Sequence, residues 1–180
     1  MPTLEEFLRA HDIDAPRIEH PAVMTVEESN RLVPPLPAAK TKNLFLRDRK
    51  GRRHLLCTVP GNLAVDLGRL GVLLDTGSLG FASPERLQKH LGITPGSVSV
   101  LALFNDTEHA VEFVVDRTLW EAAALQAHPL VNTATVCLSH AGLERFLRAT
   151  GHEARVIDFP ARESADQPTG PDAVDASPGS

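Results

Sequence analysis

The chain has 180 residues, of which 42% are hydrophobic and 23% are charged, which is the balance of a soluble globular protein. Its formal net charge of −5 excludes a uniformly basic nucleic-acid-binding surface, and seven Phe, one Trp and no Tyr argue against a platform that stacks several bases. No apolar run reaches the roughly 18 residues of a transmembrane helix, so we expect a cytoplasmic protein. We expect Cys57 and Cys137 to be reduced core residues, with a disulfide or a catalytic thiol as the alternative.

Capping and turn signals predict five elements in the first half of the chain. Thr3 and Glu6 form a capping box at the start of the first helix, and Pro34 stops the second helix. Asp48 and Gly51 favour a tight turn, so the strands on either side of them form a hairpin. The predicted elements are a helix from Leu4, a helix at 25–32, strands at 43–48 and 52–59, and a helix within 62–74.

The second half alternates predicted helices and strands. Ser83 and Ser139 are expected helix N-caps, and Gly92 and Gly151 follow the last residues of the same two helices. The predicted elements are a helix at 84–91, strands at 97–103 and 110–115, a helix at 117–126, a strand at 133–139, a helix at 140–150 and a strand at 154–159. This pattern predicts a single α/β (mixed α+β) domain in which a mixed β-sheet is surrounded by helices.

The C-terminal stretch differs in composition from the rest. Residues 162–180 contain three Pro, four acidic residues and one basic residue. Such a segment cannot bury enough apolar surface to offset the conformational entropy lost on folding. We therefore expect residues 1–161 to form the folded domain and residues 162–180 to be a disordered acidic tail.

Common catalytic and metal-binding motifs are missing from the sequence. It contains no G-x-S-x-G nucleophile elbow, no G-x-x-x-x-G-K-[ST] phosphate loop and no G-x-G-x-x-G fingerprint. Its eight His and two Cys show neither H-E-x-x-H nor C-x-x-C spacing. We expect neither a metal site nor a cofactor.

A basic block stands out in this acidic chain. It carries seven basic residues against one acid, Asp48. Two interpretations are open: a solvated hairpin tip, or an edge that faces the phosphates of a nucleic acid. Lys42 and Asn43 precede the apolar string LFL, which favours a position facing a pocket. The basic residues are Lys40, Lys42, Arg47, Arg49, Lys50, Arg52 and Arg53.

Two further features have both a structural and a functional interpretation. His128 precedes Pro129, which favours extended backbone, and a histidine at the mouth of a loop can orient a ligand or move a proton near neutral pH. It can equally be a histidine that only hydrogen-bonds within its loop. Gly96 and Ser97 form either a plain turn or a nest of backbone N–H groups that binds an anion.

Three long strings stand in order along the chain: AKTKNLFLRDRKGRRHLL, GFASPERLQKHLGITPGSVSVLALFND and HPLVNTATVCLS. Together with IEHPAVMTVEES they resemble the YbaK/ProX superfamily of aminoacyl-tRNA editing deacylases. The resemblance spans roughly residues 3–160. It is closest to the free-standing prolyl-tRNA deacylase branch, which removes alanine from proline tRNA. It implies a pocket between a mixed sheet and the helices around it.

The resemblance implies roles for individual residues. Lys42 is expected to contact the terminal phosphate or polarise the ester, and His128 to hold the terminal adenosine or the attacking water. Asn43 is expected to hydrogen-bond the aminoacyl group or the ribose. The other implied substrate-binding residues are Gly96, Ser97, Val98, Ser78 and Phe81. The implied contacts to tRNA are Lys40, Arg47, Arg49, Lys50, Arg52, Arg53 and Arg69.

The same resemblance implies a function. We expect a metal-independent trans-editing hydrolase that deacylates mischarged tRNA, with Ala-tRNA(Pro) as its first substrate. Its expected partners are that tRNA and prolyl-tRNA synthetase, with no DNA and no membrane. The alternatives are a deacylase for Cys-, Ser- or Thr-charged tRNA, and a non-catalytic tRNA-binding or synthetase-associated module.

Overall fold

The computed structural model describes residues 1–163, apart from the side chain of Val26. The helices in this part of the chain are α1 (Leu4–Ala10), α2 (Val26–Leu32), α3 (Leu67–Leu73), α4 (Pro84–Leu91), α5 (Arg117–Trp120) and α6 (His140–Thr150), with a 3₁₀ helix at Val100–Asn105. The strands are β1 (Arg17–Glu19), β2 (Thr41–Asp48), β3 (His54–Pro60), β4 (Leu79–Phe81), β5 (Val111–Asp116), β6 (Ala124–Ala127), β7 (Ala134–Ser139) and β8 (Ala154–Ile157).

The strands form two sheets. The larger sheet has the order β4-β2-β3-β5-β8, in which β4, β2 and β3 are antiparallel while β5 and β8 run parallel to β3. The smaller sheet has the order β1-β7-β6 and is antiparallel. The predicted class, a mixed α+β domain with a mixed sheet and helices, is confirmed, and the strands divide between two sheets rather than one.

The larger sheet is buried on both faces. In its central strands, apolar residues that point to one face alternate with apolar residues that point to the other. Phe45, Leu56 and Phe113 point into the core shared with α1, α4 and α6. Leu46 and Cys57 point into a second core that α3 covers. A central strand covered on both sides carries a nearly continuous apolar run, as β3 does in HLLCTV.

A short backbone seam joins the two sheets. The amide of Ala39 donates to the carbonyl of Ala124 at 2.9 Å, and the amide of Gln126 donates to the carbonyl of Ala39 at 2.9 Å. The hydroxyl of Thr41 donates to the carbonyl of Gln126 at 2.8 Å. The seam therefore places the first residues of β2 beside the last residues of β6, although these segments are distant in the sequence.

The predicted strand at 97–103 is wrong. Residues 100–105 form a 3₁₀ helix instead, and the hydroxyl of Ser99 caps it by accepting the amide of Leu101 at 3.1 Å. The residues from Val100 to Leu103 are all buried. An apolar run that is buried all round has no period, so its pattern does not separate a strand from a short helix.

The predicted helix at 117–126 is also wrong in its second half. It ends after one turn as α5, and the chain then enters β6, which pairs with β7. Pairing with β7 and with Ala39 outweighs the helix preference of the alanine-rich string EAAALQA. The short strands β1 and β4 were not predicted, since three residues carry little periodic signal.

The last described residues pair with the segment that precedes α3. Ala161 bridges Val65, and the amide of Arg162 donates to the carbonyl of Ala64 at 2.8 Å, so backbone pairing extends one residue past 161. The rest of the predicted tail, residues 164–180, lies outside the described residues. Within the described part, no helix is long and apolar enough to cross a membrane.

Both cysteines are free thiols. Cys57 is fully buried in β3, and this burial raises the pKa of its thiol far above the usual range. Burial also raises the pKa of Cys137. Neither side chain therefore has the lowered pKa of a catalytic thiol.

His54 is buried at the start of β3 in a polar cluster under the hairpin tip. Its Nε2 accepts a hydrogen bond from the guanidinium of Arg86 at 2.9 Å, and its ring lies 4.2 Å from that of His90. Burial, and then the nearby positive charges of His90 and Arg86, lowers the pKa of His54 to about 4. The folded state therefore holds this ring neutral.

This cluster predicts a pH dependence of stability. Between pH 6.5 and about 4 the unfolded chain binds a proton at His54 that the folded chain does not bind, so the free energy of unfolding falls as the pH falls. His54→Gln removes this titration. Over that pH range, the free energy of unfolding measured in urea titrations should fall by up to ~3 kcal/mol less in the variant than in the wild type. The exposed His11→Gln is the matched control, and equal pH dependence in all three proteins would contradict the prediction.

Candidate active site

A cavity of about 90 Å³ opens where the two sheets meet. It is smaller than the roughly 150 Å³ that accommodates a benzene ring. Its walls come from the segment before α2, the first residues of β2, the loop before the 3₁₀ helix, the end of β6 and the start of β7. The lining residues are Val23, Met24, Thr25, Ser29, Lys40, Thr41, Lys42, Asn43, Gly96, Val98, Gln126, Ala127, His128 and Thr135.

Lys42 and Asn43 reach the cavity from neighbouring positions of β2. The ammonium of Lys42 donates a short hydrogen bond to the carbonyl of Leu63, in the turn that follows β3. Asn43 lies opposite Thr58 in the hairpin, and the buried Thr58 hydroxyl donates to Asn43 Oδ1 at 2.6 Å. This bond fixes the orientation of the amide, so that Asn43 Nδ2 is the atom that can donate to a ligand.

His128 lies just beyond β6 on the opposite wall. Its Nδ1 is 3.0 Å from the carbonyl of Ala134, so Nδ1 carries the proton and Nε2 is left as an acceptor. Burial lowers the pKa of His128, and the nearby His20 lowers it further, while the Ala134 carbonyl acts in the opposite direction. The ring is therefore a neutral acceptor near pH 7.

Thr135 continues this wall from β7. It is buried, and its hydroxyl is 2.8 Å from Nε2 of His20, a residue outside the lining set. The ring of His20 lies 6.4 Å from that of His128. One cavity wall thus carries two histidine rings with a hydroxyl group close by.

The loop of Gly96 and the segment of Met24 close one side of the cavity. Gly96 has φ +97°, a conformation that residues with a Cβ rarely adopt. A Cβ at this position would lie 2.8 Å from the Met24 sulfur. Asn132 holds the Met24 segment in place, because its Nδ2 donates to the carbonyl of Val23 at 3.0 Å.

The charges around the cavity are one-sided. Lys40 and Lys42 line it, and no Asp or Glu is among its lining residues in the described part of the chain. Burial lowers the pKa of Lys40. Within residues 1–163 no group of three or more His, Cys, Asp or Glu is placed to hold a metal ion. The cavity is therefore suited to an anionic or ester-bearing ligand that needs hydrogen-bond donors on one wall and acceptors on the other.

A family model described as the aminoacyl-tRNA editing domain matches residues 20–146, a range that contains every residue lining the cavity. The chain belongs to this family. Membership confirms the predicted YbaK/ProX superfamily and the predicted enzyme class, an aminoacyl-tRNA hydrolase.

Two curated relatives cover most of the editing domain. The chain is 40% identical over 158 residues to "Prolyl-tRNA synthetase associated domain-containing protein 1" of Danio rerio, covering 87% of this chain and 85% of the relative. It is 39% identical over 142 residues to "Prolyl-tRNA editing protein ProX" of Acetoanaerobium sticklandii, covering 79% and 87%.

Solved structures show the same fold at lower identity. Hypothetical protein APE2540 matches with a TM-score of 0.67 at 21% identity, covering 87% of this chain and 97% of that one. A protein described as a candidate trans-editing enzyme for prolyl-tRNA synthetase matches with a TM-score of 0.62 at 23% identity, covering 82% and 87%.

The editing domain brings together one group of the predicted site residues and separates the others. The residues that share the cavity are Lys40, Lys42, Asn43, Gly96, Val98 and His128. Ser97 is buried beside them, and its amide donates to the carbonyl of Thr94 at 3.1 Å, so it supports the turn rather than lining the cavity. The amide of Ser97 is therefore engaged within the turn. Of the two amides in the predicted anion nest, that of Gly96 remains the candidate.

Ser78 and Phe81 are corrections to the predicted site. Phe81 lies in β4 opposite Leu46 and packs against the second core, away from the cavity. Ser78 is exposed and precedes β4, whose first residue pairs with Asp48. Asp48 is six residues beyond Lys42 along β2, which corresponds to about 20 Å of strand. Neither residue lines the cavity.

The remaining predicted tRNA contacts lie outside the cavity. Arg53 makes two hydrogen bonds of 2.8 Å to the carboxylate of Glu112, and this contact raises the pKa of Arg53. Arg69 is exposed on α3, 3.9 Å from Glu163. Arg47 is half-buried and donates to the carbonyls of Asp48 and Arg49.

The exposed members of the basic block sit at the hairpin tip. They are Arg49, Lys50 and Arg52. The side chain of Asp48 fixes the tip by accepting the amides of Arg52 and Arg53 at 2.7 and 3.0 Å. Both interpretations of this block, a solvated tip and a phosphate-facing edge, are compatible with this geometry.

Sequence reasoning missed part of the cavity wall. The missed lining residues are Val23, Met24, Thr25, Ser29, Thr41, Gln126, Ala127 and Thr135. His20, which contacts Thr135 from behind the wall, was missed as well. His20 and Met24 lie in the string IEHPAVMTVEES, and Thr135 lies in HPLVNTATVCLS. Both strings carried the family resemblance, and this was the signal that could have identified these residues.

The Gly96 loop predicts a cost for adding a side chain. Gly96→Ala forces φ near +97° on a residue with a Cβ and pushes the Met24 thioether out of the wall. The free energy of unfolding should fall by about 1–2 kcal/mol in urea titrations, and deacylation should weaken.

Gly80→Ala is the matched control, because a Cβ there meets nothing within 4 Å. If Gly96→Ala were as stable and as active as this control, the loop would not depend on glycine.

Proposed function

We propose that this protein is a trans-editing hydrolase that removes alanine from mischarged proline tRNA. The observation that carries the proposal is the small cavity with Lys42 and Asn43 on one wall and the neutral acceptor His128 on the other. Two relatives bear names that refer to prolyl-tRNA editing and to association with prolyl-tRNA synthetase, which supports proline tRNA as the substrate. Residues 1–161 form the catalytic domain in this proposal.

The walls divide the work of ester hydrolysis. Lys42 and Nδ2 of Asn43 donate hydrogen bonds to the terminal phosphate, the ribose or the ester oxygens. The backbone N–H of Gly96 stabilises the negative charge that develops on the carbonyl oxygen. Nε2 of His128 accepts a proton from the attacking water or holds the terminal adenosine.

In the hydrolytic step the water oxygen bonds to the ester carbonyl carbon and the bond to the ribose oxygen breaks. The ribose oxygen leaves with a proton, so the products are free alanine and uncharged tRNA. An aminoacyl ester is already activated, and positioning with modest electrostatic help is therefore sufficient.

Size explains the choice of alanine over proline. A synthetase site built for proline rejects the smaller alanine weakly, because missing methylenes change binding by only about 1–3 kcal/mol. In this proposal the apolar part of the cavity is the second site, which admits the alanine methyl group and excludes the larger proline ring. Val23, Met24 and Val98 are the apolar side chains that line this cavity beside the polar groups.

The hairpin tip is the proposed contact for the tRNA body. Arg49, Lys50 and Arg52 are exposed there, about 20 Å along β2 from the cavity. An acceptor end bound in the cavity leaves the rest of the tRNA to extend along this strand. The attraction between these basic side chains and the tRNA phosphates is independent of nucleotide sequence and weakens as the salt concentration rises.

The test is a deacylation panel at saturating enzyme with proline tRNA charged separately with Ala, Pro, Cys and Ser. The proposal predicts rapid release of alanine and at least tenfold slower release of proline. Faster release of cysteine or serine would assign the protein to a sibling deacylase. Binding of all four tRNAs without hydrolysis would instead indicate a non-catalytic module.

A lysine variant tests whether the cavity performs the reaction. Lys42→Arg keeps the charge but places a planar fork where a compact ammonium donates to the carbonyl of Leu63, so single-turnover deacylation should fall strongly. The exposed Lys50→Arg is the matched control and should retain wild-type rates. Full activity of Lys42→Arg would reduce Lys42 to a general phosphate contact.

A further inference from the structure

Two histidines, His128 in one wall of the cavity and His20 behind it, share the same hydrogen-bond pattern at Nδ1. Nδ1 of His20 is 2.8 Å from the carbonyl of Pro21, as Nδ1 of His128 is 3.0 Å from the carbonyl of Ala134. A carbonyl oxygen only accepts hydrogen bonds, so each Nδ1 must carry the proton. When such a ring is neutral, it presents Nε2 as an acceptor.

This pattern fixes the direction of the hydrogen bond between His20 and Thr135. The two atoms, Nε2 of His20 and Oγ1 of Thr135, are 2.8 Å apart. In a neutral ring protonated at Nδ1, Nε2 has no proton, so the hydroxyl of Thr135 donates to it. A hydroxyl has one proton and two lone pairs, so Thr135 can then offer only lone pairs to anything bound in the cavity.

We propose that His20 is a positioning residue that makes Thr135 an acceptor for the α-amino group of the aminoacyl ester. Thr135 is 4% exposed and lines the cavity, whereas His20 contacts it from behind. Together with Nε2 of His128, the Thr135 oxygen provides this wall with two hydrogen-bond acceptors. Neither acceptor is a carboxylate. The inference rests on the proposed function and assigns the recognised chemical group, an α-amine, to one wall.

The opposite wall explains why the amine binds on this side. Lys40 and Lys42 are both on the β2 side of the cavity, where a positively charged amine would be repelled. Neutral acceptors bind the amine without the cost of desolvating a carboxylate. The aminoacyl group therefore has a preferred orientation, with its ester oxygens toward β2 and its amine toward β7.

The experiment compares two esters of proline tRNA, one with alanine and one with propionate, which lacks only the amine. Thr135→Val removes the hydroxyl at nearly constant shape. The ratio of the single-turnover rates on the alanyl and propionyl esters should fall roughly tenfold or more in this variant. Propionyl hydrolysis should fall less than alanyl hydrolysis, since the propionyl ester makes no use of the Thr135 oxygen.

A pair of His20 variants tests the positioning role. The side-chain oxygen of Gln can accept the Thr135 proton, and Leu cannot, so His20→Gln should keep the wild-type ratio and His20→Leu should lower it. This pair keeps the test open even if Thr135→Val fails to fold. Equal losses on both esters, or an unchanged ratio in Thr135→Val and His20→Leu, would overturn the proposal and leave the editing activity standing. A wild-type protein that cleaves neither ester would overturn the proposed function as well.

Discussion

The cavity proposed as the active site depends on the seam between the two sheets. Backbone bonds from Ala39 to β6, and the bond from the Thr41 hydroxyl to the carbonyl of Gln126, hold the start of β2 against the end of β6. The side-chain amide of the buried Gln126 adds a bond to the carbonyl of Ala38 at 3.2 Å. A buried backbone needs these partners, since unpaired polar groups are costly away from water. The seam thereby places Lys42 and His128 on facing walls.

The polarity of the cavity follows from which strand each wall belongs to. The β2 wall supplies donors, because Lys42 is charged and Thr58 turns the oxygen of Asn43 away from the ligand. The β6–β7 wall supplies acceptors, because a carbonyl at Nδ1 sets the tautomer of His128. Each wall owes its character to a residue or carbonyl behind it. Under the proposed function, this arrangement lets the cavity bind the ester oxygens on one wall and the amine on the other.

Local signals in the sequence predicted the helices and the hairpin whose boundaries depend on residues within or next to them. The caps at Thr3, Ser83 and Ser139 marked helix starts, and the turn after Asp48 marked the hairpin that holds Lys42 and Asn43. The seam could not be predicted from the sequence, because the pairing of Ala39 with Leu125 joins residues that are far apart in the chain. The same distant pairing converted the predicted helix 117–126 into β6. His20 was not predicted as a site residue either, since its contact with Thr135 joins residues 115 positions apart in the chain.

Locating a bound substrate end tests the proposed site most directly. ¹⁵N-labelled protein is titrated with an adenosine whose 3′ position carries alanine through a stable amide. We expect chemical-shift changes at the backbone amides of Asn43, Gly96 and Thr135 and at the ring nitrogens of His128, with no change at the tip amides of Lys50 and Arg52. Changes confined to the hairpin tip, or saturable binding that leaves the cavity amides unchanged, would contradict it.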